Sequence, residues 1–481
     1  MRQRPERRQE RPPQPPPAVP TTLQTTPPTT PRPSASNQRR HWCVVGGGML
    51  GLSLANELQK RGVRVTVLEA GPELGGLASP WELHDAETGR DVTWDRHYHV
   101  TLLSDTRLRQ LLEEIGLAED MRWIETKTGF YSGGKMYSMS STLEFLTFPP
   151  LRLWEKFRLG MTIFGASKIK NWKRLEQISV TDWLRKWSGA GAFEKVWLPL
   201  LKAKLGDAHT RVSAAFIWAH ISRMYAARRT GHKKEMFGYV RGGYPRILQT
   251  LADTLEDRGV ELLTDAPVSE ATATADGRVA VKLADGSTMH FDEVAFTTPS
   301  SVIARAVPGL SDDERARHQG VDYLGIVCAS LLLKKPITEY YVTNITDGWV
   351  PLTAVIEMTT IVDPEELGGR YLVYLPKYCP ADDRLFDRTD DELREEWLSA
   401  LEKMHPHFSR ADVVAMRFSR VRSVMALPTL NYSERLPPMK TSVPGVWAVN
   451  SAHILKGNLN VNETIQVADE ALTGPLAAAL V

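Results

Sequence analysis

The sequence predicts an α/β fold in which a Rossmann-type parallel sheet, assembled from separated stretches of chain, is interleaved with an α+β domain. Three observations carry this reading. A short buried β run near residue 42 turns through a glycine cluster into an amphipathic helix. Further strand-like segments recur after residues 260 and 445, and the long stretches between them change from helical to alternating periodicity. At 481 residues the chain exceeds what one hydrophobic core usually fills, so two intertwined domains are expected.

Residues 1–40 hold 11 of the 31 prolines and almost nothing apolar, so they are expected to stay a disordered tail. Residues 1–41 contain eight arginines and two glutamates, whereas the whole chain has a net charge of only +2. The remainder is therefore net acidic, which argues against nucleic-acid binding. Three cysteines, Cys43, Cys328 and Cys379, make no disulfide framework, and no apolar run is long enough to span a bilayer. A cytoplasmic setting is the expectation.

Order is expected from His41. Trp42 to Val45 form a buried strand that ends in Gly46-Gly47-Gly48-Met49-Leu50-Gly51, a G-x-G-x-x-G pattern. The spacing has a physical reason. Gly46 makes the tight turn, Gly48 lets the backbone approach a pyrophosphate, and Gly51 lets helix and strand pack closely. Leu50, Leu54 and Leu58 give the following helix one apolar face, Gly62 ends it, and Val63 to Leu68 supply the second strand. Glu69 closes that strand, where a carboxylate accepts hydrogen bonds from ribose hydroxyls and repels a 2′-phosphate.

Directly after Glu69 comes a second glycine turn, Ala70-Gly71-Pro72-Glu73-Leu74-Gly75-Gly76-Leu77-Ala78-Ser79. Here the chain resembles the flavoprotein superfamily of monoamine oxidases, protoporphyrinogen oxidases, phytoene desaturases and UDP-galactopyranose mutases. The resemblance implies a Rossmann-type FAD-binding domain (GR2-like), with Ala70, Gly75, Gly76 and Leu77 along the diphosphate and ribityl chain. Glu73 and Leu77 stand where amine oxidases carry arginines, which favours the protoporphyrinogen-oxidase-like and desaturase-like branches.

The resemblance runs from about residue 42 to about residue 478. Arg241-Gly242-Gly243-Tyr244 and the helical Ile247 to Leu251 resemble the re-entry into the FAD domain. Val260 to Leu263 and Pro267-Val268 read as the next strands, Val268 being implied to meet adenine through its backbone. Val279 to Leu283 and Asp292 to Pro299 follow, with Thr298 beside the cofactor, and then Gly445 to Asn450 and a helix from about Glu463 to Leu472. The family places an acid near Asn450. Asn462, Thr464 and Ile465 are implied to lie at the helix end facing the flavin, where amide dipoles stabilise negative charge. Met49 and Leu50, opening the first helix, complete the expected cofactor set. FAD is expected to be non-covalent, because no cysteine lies in the C-terminal segment.

The FAD domain is thus expected from residues 41–100, 240–320 and 436–481, and the α+β substrate domain from 101–239 and 321–435. Leu108, Leu111, Leu112 and Ile115 have helical spacing, whereas Tyr371 to Leu375 read as a strand. Trp94-Asp95-Arg96-His97-Tyr98-His99 is rich in chemistry. His97 and His99, sharing one face of a strand, are candidates for substrate orientation or proton transfer, the other reading being structural histidines. Lys204 and Glu357 are further catalytic candidates, with a surface lysine and a paired buried charge as alternatives. No cysteine or acid cluster accompanies the histidines, so no metal is expected. Phe145 to Leu175 mix Trp, Phe and Met with basic residues, the pattern of either a membrane-surface helix or a core cover.

The expected function is FAD-dependent oxidation of a small organic substrate, cyclic, isoprenoid or amine, by hydride transfer to flavin N5 in a biosynthetic pathway. Without a second dinucleotide motif, electrons are expected to pass to oxygen, a quinone or a protein. Two alternatives stay open: a redox-neutral sugar-nucleotide mutase, which needs an arginine pocket such as Arg223, Arg228, Arg229 and Arg241, and a flavin-binding partner without turnover.

Overall fold

The structure, a computed structural model, describes residues 40–228 and 236–480. The expected disordered tail lies outside the described residues except for Arg40.

The opening strand His41–Val45 is the centre of a five-stranded parallel sheet whose order is 261–263, 64–68, 41–45, 293–296 and 446–448. Its residues are apolar on both faces because both faces are covered. On one side Trp42 and Val44 pack with Leu54 and Leu58 of the helix Met49–Lys60 and with Ala468 and Leu472 of the helix Val461–Thr473. On the other, Cys43 and Val45 pack with Phe291, Ile303 and the antiparallel strands Val268–Ala273, Val279–Leu283 and Thr288–Phe291. Each fully buried leucine contributes about 2 kcal/mol, and this double cover holds the strand ends, where the glycine turns begin.

The second large element is a seven-stranded sheet in which the strand Tyr323–Leu333, next to the edge strand Val413–Ala426, pairs antiparallel with it and with Tyr371–Pro380. It continues through Ala354–Glu357, Val342–Ile345, Thr128–Ser132 and Lys135–Ser138. The strand Thr128–Ser132 runs parallel to Val342–Ile345, the one parallel pair in this sheet. Strand alternation assigns the faces. Leu324, Ile326, Cys328, Leu372 and Tyr374 face a core shared with Trp94, Leu184 and Leu205. Val327, Ala329, Leu331, Val373 and Leu375 face the helix Asp390–Met404 with its buried Trp397.

The helix expected around Leu108 spans Thr106–Glu114, and the strand expected at Tyr371 extends to Pro380. One expectation is corrected here. The strand Arg90–Asp95 ends before His97, so His97 and His99 lie in an irregular bend and not on one face of a strand.

Candidate functional site

The first glycine turn is set by steric necessity. Gly46 has φ +112°, and a Cβ there would lie 2.6 Å from Thr297 Oγ1. At Gly51 a Cβ would lie 1.8 Å from the Gly46 carbonyl oxygen, so only glycine allows the helix to start so close to the turn. Thr297 Oγ1 donates to the Val45 and Gly46 carbonyls, both at 3.1 Å, and locks the turn from the neighbouring strand. Gly48 differs. Its φ is −73°, which any residue adopts, and a Cβ would meet nothing nearer than 3.9 Å. The space over Gly48 is therefore open, while the side chains of Met49 and Leu50 turn into the core.

Glu69 is held by the turns it serves. Its Oε2 accepts the Gly47 N–H at 2.7 Å and its Oε1 the Gly71 N–H at 2.9 Å, beside the exposed Ala70. The second turn folds onto the first: Gly75 N–H donates to Gly47 C=O at 2.8 Å, and a Cβ on Gly76 would stand 3.2 Å from Gly48 Cα. Gly75 and Gly76 have φ of +109° and +58°. Two side-chain-free turns in contact, with a carboxylate at one end and open space over Gly48, fit an elongated dinucleotide diphosphate.

Farther along, Leu77 C=O accepts from His97 Nδ1 at 3.1 Å, which leaves Nε2 buried without a partner. Burial pulls the His97 pKa down to about 4, so the ring is neutral and Nε2 is a bare acceptor. Thr298 Oγ1 and Arg96 Nε are likewise buried without partners, which matches a polar ligand edge between the strand ends. Val268 is half-buried at the start of its strand.

The C-terminal return differs from expectation in which atoms are free. The Asn450 side chain is buried and fully engaged: Nδ2 donates to Thr298 C=O and Ser300 Oγ, and Oδ1 accepts from Ala452 N–H. Asn462 Oδ1 accepts the Arg107 and Leu108 amides at 2.9 and 3.2 Å, so it caps the helix Thr106–Glu114. Thr464 Oγ1 donates to Asn460 C=O, and Ile465 is core. Asn460 Oδ1 takes the Glu463 N–H, so what this segment offers is the first-turn amides of Val461 and Asn462. The side-chain hydrogen bond expected for Asn450 is thus taken by structural partners, whereas Asn462 stays in the first turn of the helix, where its backbone amide was expected.

The catalytic candidates separate. The His99 ring lies tilted against that of Tyr244, centroids 4.6 Å apart, and its Nδ1 lies 3.6 Å from Asp95 Oδ2. Lys204 Nζ lies 3.1 Å above the Tyr378 ring centroid, and Tyr378 Oη bonds Tyr98 Oη at 3.0 Å. Tyr374 Oη donates to Asp95 C=O at 2.6 Å and its ring lies 6.2 Å from that of Tyr98. His97, Tyr98, Tyr374, Tyr378 and Lys204 thus belong to one neighbourhood on the sheet face that packs with Leu77. Glu357 does not join them. It shares its strand face with Val355, toward the helix Asp390–Met404, and accepts from Ile337 N–H and Thr359 Oγ1 at 2.8 and 2.6 Å. Burial pushes its pKa up to about 7, against those two hydrogen bonds.

The tyrosines were missed because they come from distant segments; only Tyr98, between the two histidines, carried a local signal. Thr297 was legible as the polar residue ending a strand beside the turn. Of the expected arginine pocket, Arg223 is paired with Asp105 at 2.8 Å and Arg241 is exposed. Arg229 and the Arg228 side chain lie outside the described residues. Among the described residues no three His, Cys, Asp or Glu side chains converge as metal ligands.

Residues 50–453 match a family described as flavin containing amine oxidoreductase. Zeta-carotene desaturase of Synechocystis sp. is 26% identical over 302 residues, which cover 56% of this chain and 58% of that protein. Coproporphyrinogen III oxidase of Propionibacterium freudenreichii is 23% identical, covering 93% of each chain. The chain spans about half the length of the desaturases it matches. An oxidoreductase structure from Methanosarcina mazei superposes with a TM-score of 0.69 at 18% identity, over 90% of this chain and 100% of that one, a likeness of fold. Matched over most of its length, the chain belongs to the flavin-containing amine oxidoreductase family, a family of FAD-dependent oxidoreductases.

Proposed function

We propose that the chain oxidises a lipophilic, non-cationic organic substrate, isoprenoid or cyclic, with FAD held by the two glycine turns and a separate acceptor (oxygen, a quinone or a protein) taking the electrons onward. Bound FAD would supply the hydride acceptor at N5. In this reading residues 41–100, 240–320 and 436–481 form the cofactor module, and 101–239 and 321–435 the substrate module. Glu69 receives the adenosine ribose, the amides around Gly48 and Val461 face the phosphate and flavin edges, and Val268, Thr298 and Leu77 line the path between them.

One observation carries the substrate class. Lys204 Nζ sits over the Tyr378 ring, so the aromatic wall of Tyr98, Tyr374 and Tyr378 already holds a cation. A second cation, such as a substrate ammonium, is repelled there, whereas a neutral or acidic molecule is not. His97, neutral with a free Nε2 acceptor, orients a donor of the substrate or takes a proton from it. The nearby carboxylates are committed elsewhere, Asp105 to Arg223 and Asp95 to the Tyr244 amide.

Anaerobic mixing of the FAD-loaded protein with a partly saturated isoprenoid, a porphyrinogen or a primary amine tests this. The visible flavin absorbance is expected to bleach with one of the first two and to persist with the amine. Bleaching by the amine alone would overturn the substrate class. Turnover only after pre-reduction, with no net electron consumption, would replace oxidation by the redox-neutral reaction.

A further inference from the structure

We propose that the helical hairpin Thr142–Thr147 and Leu153–Ala166 docks the protein on an anionic lipid surface, its aromatic stripe entering the headgroup layer. Unlike an ordinary surface helix, the helix Leu153–Ala166 is apolar on both its inner and its outer face. Its outer stripe is Leu153, Trp154, Phe157, Met161 and Phe164, exposed by 72, 66, 59, 52 and 49%. Its inner face buries Leu159 and Ala166 in the core together with Lys156, whose Nζ donates to Leu146 C=O at 2.6 Å. Leu143 and Leu146 lengthen the stripe on the preceding helix. At its side stands Trp187, held by Arg158, which donates to the Lys186 and Trp187 carbonyls.

Large exposed apolar side chains are concentrated here. Among the described residues only Trp349 and Leu430 lie outside the stretch from Leu143 to Trp187. Scattered exposed leucines are ordinary, but a contiguous patch with two tryptophans and two phenylalanines marks a binding surface.

Charge selects the occupant. Lys168, Lys170, Lys173 and Arg174 follow the stripe, are exposed, and have no carboxylate partner among the described residues. Lys168 Nζ lies 5.2 Å from the Phe164 ring, its stem along the apolar surface and its charge at the rim. The acids of the segment are already used. Glu155 is paired with Lys195 at 2.9 Å, and Glu176 is buried on Ser433. Pairing with a second copy through this face would bring two basic rims together, whereas anionic headgroups complement the rim and acyl chains accept the stripe. No described helix is long and apolar enough to cross a membrane, so the contact is interfacial.

The test is flotation of the full-length, FAD-loaded protein with phosphatidylcholine vesicles containing about a third phosphatidylglycerol, against phosphatidylcholine alone. The protein is expected to float with the anionic vesicles at low salt and to show a blue-shifted tryptophan emission. Trp154→Ala with Phe157→Ala is expected to lower partitioning at least about tenfold with bound FAD unchanged. Lys168→Gln with Lys173→Gln should remove the preference for anionic vesicles. Absence of binding, or binding undiminished in the Trp154/Phe157 variant, as when the arginine-rich tail does the work, overturns the proposal. So does a dimer in solution that the same variant dissociates. None of these read-outs needs turnover, so they stand apart from the proposed reaction.

Discussion

The glycine cradle and the aromatic wall are built on opposite principles. The cradle comes from contiguous residues, Val44 to Gly76, with outside help mainly from Thr297, and its geometry follows from missing side chains. The wall joins Tyr98, Lys204, Tyr374 and Tyr378 from three separate stretches, and its geometry follows from side chains meeting. A site defined by absence tolerates no addition. A site defined by contacts degrades by degrees, which is how one cofactor module can serve different substrates.

Substitutions in the cradle should therefore have the largest effects. Gly51→Val places a side chain inside contact distance of Gly46 C=O, and soluble expression or the cooperative unfolding transition is expected to be lost. A folded, FAD-binding Gly51→Val would break the contrast. Next is His97→Ala, at the seam between the two regions. It should lower kcat by about a hundredfold with FAD content preserved. Because burial pulls the His97 pKa to about 4, no activity limb from this ring is expected between pH 5 and 8.

The same difference governs what the sequence could disclose. Spacing alone located both glycine turns, the strands that flank them and Glu69 at the strand end, because a tight turn and a close helix start each demand glycine at a fixed offset. Asn450 and Asn462 stand in the expected segment, but the structural hydrogen bonds of their side chains show in no local spacing. Whether an amide side chain faces a ligand or caps a helix 355 residues away in sequence depends on tertiary packing. Glu357 was read as a candidate near substrate, yet strand parity turns it to the other face of the sheet, and the register that fixes this comes from distant partners. That Leu153–Ala166 leaves a second apolar stripe uncovered was equally hidden, since periodicity does not tell which apolar side chains are covered.

Smaller effects test the wall. Lys204→Met should raise KM for a neutral lipophilic substrate by less than about tenfold and ease access of amines, because the cation over Tyr378 is gone. Unchanged discrimination between amine and neutral compounds would remove the wall's role in selectivity. Smallest for activity is Glu357→Gln, expected to leave turnover intact. Its effect is on stability. The folded pKa is about 7 against an ordinary 4.5, so the native state binds the extra proton between those values and stability falls as pH rises through that window. The penalty above pH 7 is about 3 kcal/mol, and Glu357→Gln should raise the melting temperature at pH 8 but not at pH 4. An equal shift at both pH values would contradict this.

The most direct measurement is an FAD titration of the Gly48→Val variant beside the unaltered protein. With φ at −73° and no atom nearer than 3.9 Å to an added Cβ, the fold does not oppose a Cβ at Gly48. Only a ligand lying over it would. Gly48→Val is expected to keep its melting transition and to bind FAD at least about a hundredfold more weakly, while the unaltered chain saturates at one FAD. A Gly48→Val variant that binds FAD as tightly as the unaltered chain would contradict the assignment of the cradle.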